Sequence, residues 1–182
     1  MTAKTLLISI RTAAIAAAGV FAIAALSAAP SDAAAKDKAA QLTISCDKAE
    51  YKKDEPISID LKIKNTGDKV LYINKRFHIV PETGGKANGE LSFSVISPSG
   101  EKLPCKSTYA TGLPKTDYFS PLKPGEELAM ERKPAINYLF DLSAPGAYKI
   151  EAAYQNRYGD EMGIDAFKEK IVSGQITVKR VD

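Results

Sequence analysis

The chain has 182 residues, with 25 Lys and Arg against 22 Asp and Glu, a formal net charge of +3. So small an excess, with no basic stripe along the chain, excludes a nucleic-acid binder that works through phosphate contacts. A single histidine and two cysteines exclude a conventional zinc site and a disulfide-dense scaffold.

The first residues carry an export pattern. Lys4 and Arg11 form a positive head, Ala13 to Leu26 is an uncharged apolar run, and small residues follow at Ser27-Ala28-Ala29 and Ala33-Ala34-Ala35. The run is shorter than the ~20 residues of a membrane span, so a cleaved signal peptide over 1–35 is expected rather than a stable anchor. Residues 36–40 read as a flexible leader and 41–182 as one domain, located in the periplasm or outside the cell.

Strand grammar then runs through the chain. Leu42, Ile44 and Cys46 alternate with polar neighbours, and Ile57, Ile59, Leu61 and Ile63 do so over eight residues. Period two puts one face in a core and the other in water. Asn65-Thr66-Gly67-Asp68 is a turn, and residues 70–77 a returning strand. Leu91, Phe93 and Val95 predict a strand that hairpins through Ser97-Pro98-Ser99-Gly100 into another over 101–105. Strands over 126–132, 147–154 and 174–181 complete a set of about seven or eight. Ile164, Phe167 and Ile171 have helical spacing and predict one short helix. The fold class is all-β, an immunoglobulin-like antiparallel β-sandwich, with Tyr148 after Pro145-Gly146 at the place of a structural tyrosine corner. Its hydroxyl is expected to bond to backbone near Tyr138 to Asp141.

Letting the strands alternate in direction gathers three long connections, 74–89, 106–124 and 155–173, at one pole. The same parity brings Cys46 and Cys105 to that pole. In an exported protein this predicts a disulfide, with roughly 4 kcal/mol of stabilisation from the long loop it closes.

Catalytic patterns are missing: the sequence has no HExxH, CxxC, GxSxG or phosphate-binding glycine loop. His78 reads as a strand-end residue. Asp160, Glu161 and Asp165 fit no EF-hand spacing and read as solvated loop acids, with calcium ligation and a hydrolase carboxylate pair as the alternatives. The expectation is a protein that is not an enzyme and needs no cofactor. The candidate binding residues are Tyr154, Asn156, Arg157 and Tyr158 in one long loop, with Tyr118 and Phe119 in another, a mixture enriched at recognition surfaces.

Ile59 to Gly67, Asp117-Tyr118 ahead of Leu122-Lys123-Pro124-Gly125-Glu126, and Tyr138 to Tyr148 carry a family likeness. Over about residues 55–155 the chain resembles the β-sandwich domain that precedes the catalytic domain in deuterolysin-type (aspzincin) metalloendopeptidases. That family's zinc-binding HExxH and downstream aspartate have no counterpart here, so no catalytic residue carries over. The resemblance implies an accessory domain standing alone. A looser similarity links it to small bacterial proteinase-inhibitor domains. The expected function is binding of a protein, for which the resemblance suggests a secreted protease, or of a glycan through the long-loop pole. The alternative is a proteinase inhibitor or protease-associated chaperone acting through the exposed loop from Lys106 to Ser120.

Overall fold

Alternating apolar runs become strands in the computed structural model, which describes residues 39–81, 89–106 and 112–182. In chain order the strands and helix are β1 (Ala40–Ser45), β2 (Glu50–Lys52), β3 (Asp60–Asn65), β4 (Leu71–Asn74), β5 (Leu91–Ile96), β6 (Phe119–Leu122), β7 (Glu127–Ala129), α1 (Ile136–Leu139), β8 (Gly146–Tyr154), β9 (Ile171–Val172) and β10 (Ile176–Val181). The expected export signal, 1–35, lies outside the described residues. Ala40, expected in the leader, already belongs to β1.

The fold is all-β, built from antiparallel and mixed sheets. One sheet has the order β1-β3-β7, with Leu42 opposite Ile63 and Ile44 opposite Leu61. A second has the order β2-β10-β8-β5, with β9 added at one end of β8. Within it β10 runs parallel to β2 and antiparallel to β8. β4 and β6 form a separate antiparallel pair. The inward positions of the sheets (Leu61 and Ile63 of β3, Phe93 and Val95 of β5, Tyr148 and Ile150 of β8, Val178 of β10) all belong to one buried apolar cluster. Each large side chain so buried contributes about 1.5–3 kcal/mol of transfer free energy.

Several expectations are corrected. Residues 101–105 make only one bridge, Ile96 with Lys102, because Pro104 has no N–H to continue a ladder. The helix expected from Ile164, Phe167 and Ile171 does not form. The Phe167 amide donates instead to the Tyr72 carbonyl (2.9 Å), and Ile171 joins β9. Conversely, α1 forms in the link between β7 and β8, with Ile136 fully buried. Tyr148 donates its hydroxyl to the Ala144 carbonyl (2.7 Å), nearer in sequence than the expected 138–141 acceptors.

The disulfide is also overturned: Cys46 and Cys105 are both free thiols. β2 follows Cys46 almost directly, and residues 101–105 do not form a full strand. With those two differences from the expected pattern, strand alternation no longer brings the cysteines together. The Cys46 thiol donates to the Lys48 carbonyl (3.0 Å), and burial raises its pKa. Cys105 lines a separate hollow with Pro81, Phe93 and Phe140.

Candidate functional site: a braced groove

Three connections meet beyond the ends of β4 and β8, and buried polar side chains hold them together. Glu90, directly before β5, is 2% exposed. Arg76 approaches it as a fork, Nε donating to Oε2 at 3.1 Å and Nη2 to Oε1 at 2.5 Å. The His78 amide adds a donor to Oε2 (3.0 Å) and Asn74 Nδ2 one to Oε1 (3.1 Å). A carboxylate enclosed this way is occupied by its neighbours. It acts as a brace, since paired hydrogen-bonded charges are tolerated inside whereas lone ones are not. Arg76 also donates through Nη1 to the Gly112 carbonyl (2.5 Å), and its guanidinium lies 5.5 Å from the centre of the Tyr158 ring.

Asn74 extends the brace. Its Oδ1 accepts from the Arg76 amide (3.1 Å), and its Nδ2 also donates to Asn156 Oδ1 (3.2 Å). Asn156 in turn donates to the Tyr158 carbonyl (2.7 Å) and accepts from the Tyr158 amide (3.2 Å), closing the 156–158 turn on itself. Phe77 takes a left-handed backbone with φ of 47° and sets its ring edge-on to Tyr154, centroids 5.9 Å apart. Such a conformation costs a non-glycine residue about 1–3 kcal/mol and persists only where its surroundings impose it. Gly89 lets the β5 lead-in reach this segment: a Cβ there would stand 2.5 Å from Val80 Cγ1 and 2.6 Å from the His78 carbonyl.

Against this braced segment lies a groove of about 600 Å³. Residues 75–78 and Asp117-Tyr118 form one wall, joined where the Lys75 amide donates to the Tyr118 carbonyl (2.8 Å). The other wall is β7 with its continuation to Arg132. β7 is the end strand of its sheet. The Met130 amide donates to Leu61 (2.9 Å) and Glu126 accepts from Asn65 (3.0 Å), so 126, 128 and 130 use their backbone groups on β3. Alternation turns the N–H and C=O of Glu127, Ala129 and Glu131 away from β3. Lys75 and Arg132 set positive charge on the groove, and Asp117 and Glu131 negative.

The sequence-selected residues are distributed unevenly over this site. Tyr154 and Asn156 are 0% and 1% exposed, and Phe119 is buried in β6. Expected on a surface, these three are core and brace residues. Tyr158 is half-buried beside Arg76, Arg157 is exposed, and only Tyr118 of the six lines the groove. Burial, and after it the Glu90 carboxylate, raise the Tyr154 pKa well above the ordinary phenol value. Asp160 pairs with Lys168 (2.5 Å), and no group of three or more metal-ligating side chains occurs among the described residues. Arg76, Glu90 and the β7 edge escaped the sequence reading. Arg76 and Glu90 lie 14 residues apart across a loop, with no spacing signal to connect them.

No helix among the described residues is long and apolar enough to cross a membrane. No protein-family model matches the chain, and no curated protein matches it significantly.

Proposed function

We propose that this chain is an exported, non-catalytic binding module of immunoglobulin-like β-sandwich architecture. Its ligand is an extended segment of a partner protein, laid along the groove as an added strand on β7. The observation that carries this reading is the outer edge of β7, which no strand among the described residues covers, beside a groove whose other wall is braced by Arg76 and Glu90. Unpaired strand edges recruit extended peptides through main-chain hydrogen bonds, and flanking side chains supply selectivity. A wall fixed before binding lowers the ordering cost of association. The resemblance to the accessory domain of deuterolysin-type peptidases makes a secreted protease the natural first partner to try.

The test is to pan a random peptide display library on the domain and re-measure the selected peptides on an Ala129→Pro variant. Proline there removes an outward N–H and is tolerated at an edge. Selected peptides should bind the variant at least tenfold more weakly while its melting temperature stays within a few degrees. Equal binding to both proteins overturns strand addition, and enrichment of glycans rather than peptides on an array overturns the choice of ligand.

A second reading, a proteinase inhibitor or protease-associated chaperone, is favoured by one observation. Leu113, in the connection from Lys106 to Ser120, is 73% exposed, beside a Gly112 carbonyl held by Arg76. An apolar side chain carried on an anchored loop suits insertion into a protease cleft. Inhibition of a secreted protease that disappears in Leu113→Asp is the expected result, and inhibition unchanged by that substitution removes this reading.

A further inference from the structure

The far end of the second sheet holds another buried cation, under different conditions. Arg180 follows Val178 on the inward face of β10 and is 4% exposed. It pairs across the ladder with Gly146, at the opposite end of β8 from Tyr154, about 26 Å away at strand rise. Its Nε donates to the Leu142 carbonyl (3.2 Å), and its Nη1 to the carbonyls of Lys52 (2.5 Å) and Glu55 (2.7 Å). All three acceptors are neutral backbone groups.

Arg76 has Glu90, but no carboxylate among the described residues forms an ion pair with Arg180. Nor does Nη2 find an acceptor among the described residues. Among the described residues no side-chain nitrogen or oxygen sealed from solvent lacks a partner, so Nη2 opens to solvent. Arg180 is part of the lining of a pocket of about 170 Å³. Exposed Lys53 and Lys106 stand around the mouth, with Asn137 and Ser143 as neutral polar neighbours. The lining acids are Asp54 and Asp141, and Asp141 already accepts from the Ser143 amide (3.2 Å). Three cations against two carboxylates leave one positive charge over, with its most buried member uncompensated.

We propose that this pocket binds a carboxylate group, which accepts from Arg180 Nη2 and is held by Lys53 and Lys106. A buried charge without a counter-ion is costly, and a charge-assisted hydrogen bond in a half-enclosed site offsets that cost. The surplus of one charge matches a singly charged oxyanion. The group arrives either on a free organic acid or at the C-terminus of a peptide. The pocket shares no lining residue with the groove, so the two sites can be tested separately.

The experiment titrates the full domain with sodium acetate, with the tripeptide Gly-Gly-Gly and with the amide of that tripeptide. The readout is the Arg180 Nε–H resonance, at ionic strength held constant with chloride. Acetate and the free tripeptide should shift that resonance saturably, and the amide should not. Tripeptide binding at least tenfold tighter than acetate assigns a peptide terminus, and equal binding assigns a free acid. Lys53→Ala with Lys106→Ala should weaken binding about tenfold, and Ser143→Glu, which places a carboxylate at the mouth, should abolish it. These exposed positions keep the test valid if Arg180 variants fail to fold. A non-saturable shift, the same shift with chloride or the amide, or binding unaffected by the double variant overturns the proposal.

Discussion

The Tyr154 hydroxyl and the backbone of Asn74 satisfy each other in both directions. The hydroxyl donates to the Asn74 carbonyl at 3.2 Å and accepts from the Asn74 amide at 3.1 Å. This closes the end of β8 onto the end of β4, out of reach of water. Tyr154→Phe keeps the ring against Phe77 and leaves a buried amide and carbonyl without this partner. The expected loss is about 1–3 kcal/mol, measured by urea denaturation, with peptide affinity at the groove unchanged in the fraction still folded. Wild-type stability in this variant contradicts the pairing.

Glu90→Gln leaves the Arg76 guanidinium buried without its counter-charge, at side-chain exposures of 8% and 0%. Breaking a buried pair from one side costs about 3–5 kcal/mol. The loss should appear in equilibrium unfolding and in faster amide exchange at residues 74–78 and 156–158. A loss below about 1 kcal/mol makes the pair a peripheral contact.

Alkali should destabilise the domain in a defined window. Burial raises the Tyr154 pKa in the folded state above the ordinary value of 10.0. Between those two values the unfolded chain has lost the phenol proton and the folded chain has kept it. The unfolded state then binds fewer protons, so stability falls as pH rises past about 10. Melting temperatures from pH 8 to 12 should decline above pH 10, and less steeply in Tyr154→Phe. Parallel slopes for the two proteins remove Tyr154 as the cause.

Free thiols at Cys46 and Cys105 predict indifference to reductant. Denatured protein should titrate two thiols by Ellman's reaction, and dithiothreitol should move the melting temperature by less than about 1 °C. A shift of several degrees, as expected for removing a native bridge, restores the disulfide.

Legibility in the sequence followed how local each signal was. Ile57, Ile59, Leu61 and Ile63 announce themselves by alternation, and all four are buried. The same rule was available for Tyr154, which shares parity with Tyr148, Ile150 and Ala152 and is buried with them. Reading its neighbours as a recognition loop hid that. Arg180 likewise keeps step with Val178, an inward cation marked by period alone. β2 offers a single inward residue, Tyr51, and β9 only two residues in all, too few for any period. Pro121 inside β6 masked a strand that exists because β4 pairs with it. The brace joins Asn74 to Asn156 and Arg76 to Glu90 across connections whose path no local pattern reports.

The position of β10 bears on how the chain assembles during synthesis. It comes late, at Ile176–Val181, yet lies in the middle of its sheet, between β2 from the start of the domain and β8. Until Val181 has been made, β2 and β8 have no strand to join them, and the Arg180 guanidinium has not gathered the carbonyls of Lys52, Glu55 and Leu142. Folding therefore waits on long-range closure, the slow kind. Meanwhile the growing polypeptide presents open strand edges and depends on whatever shields them.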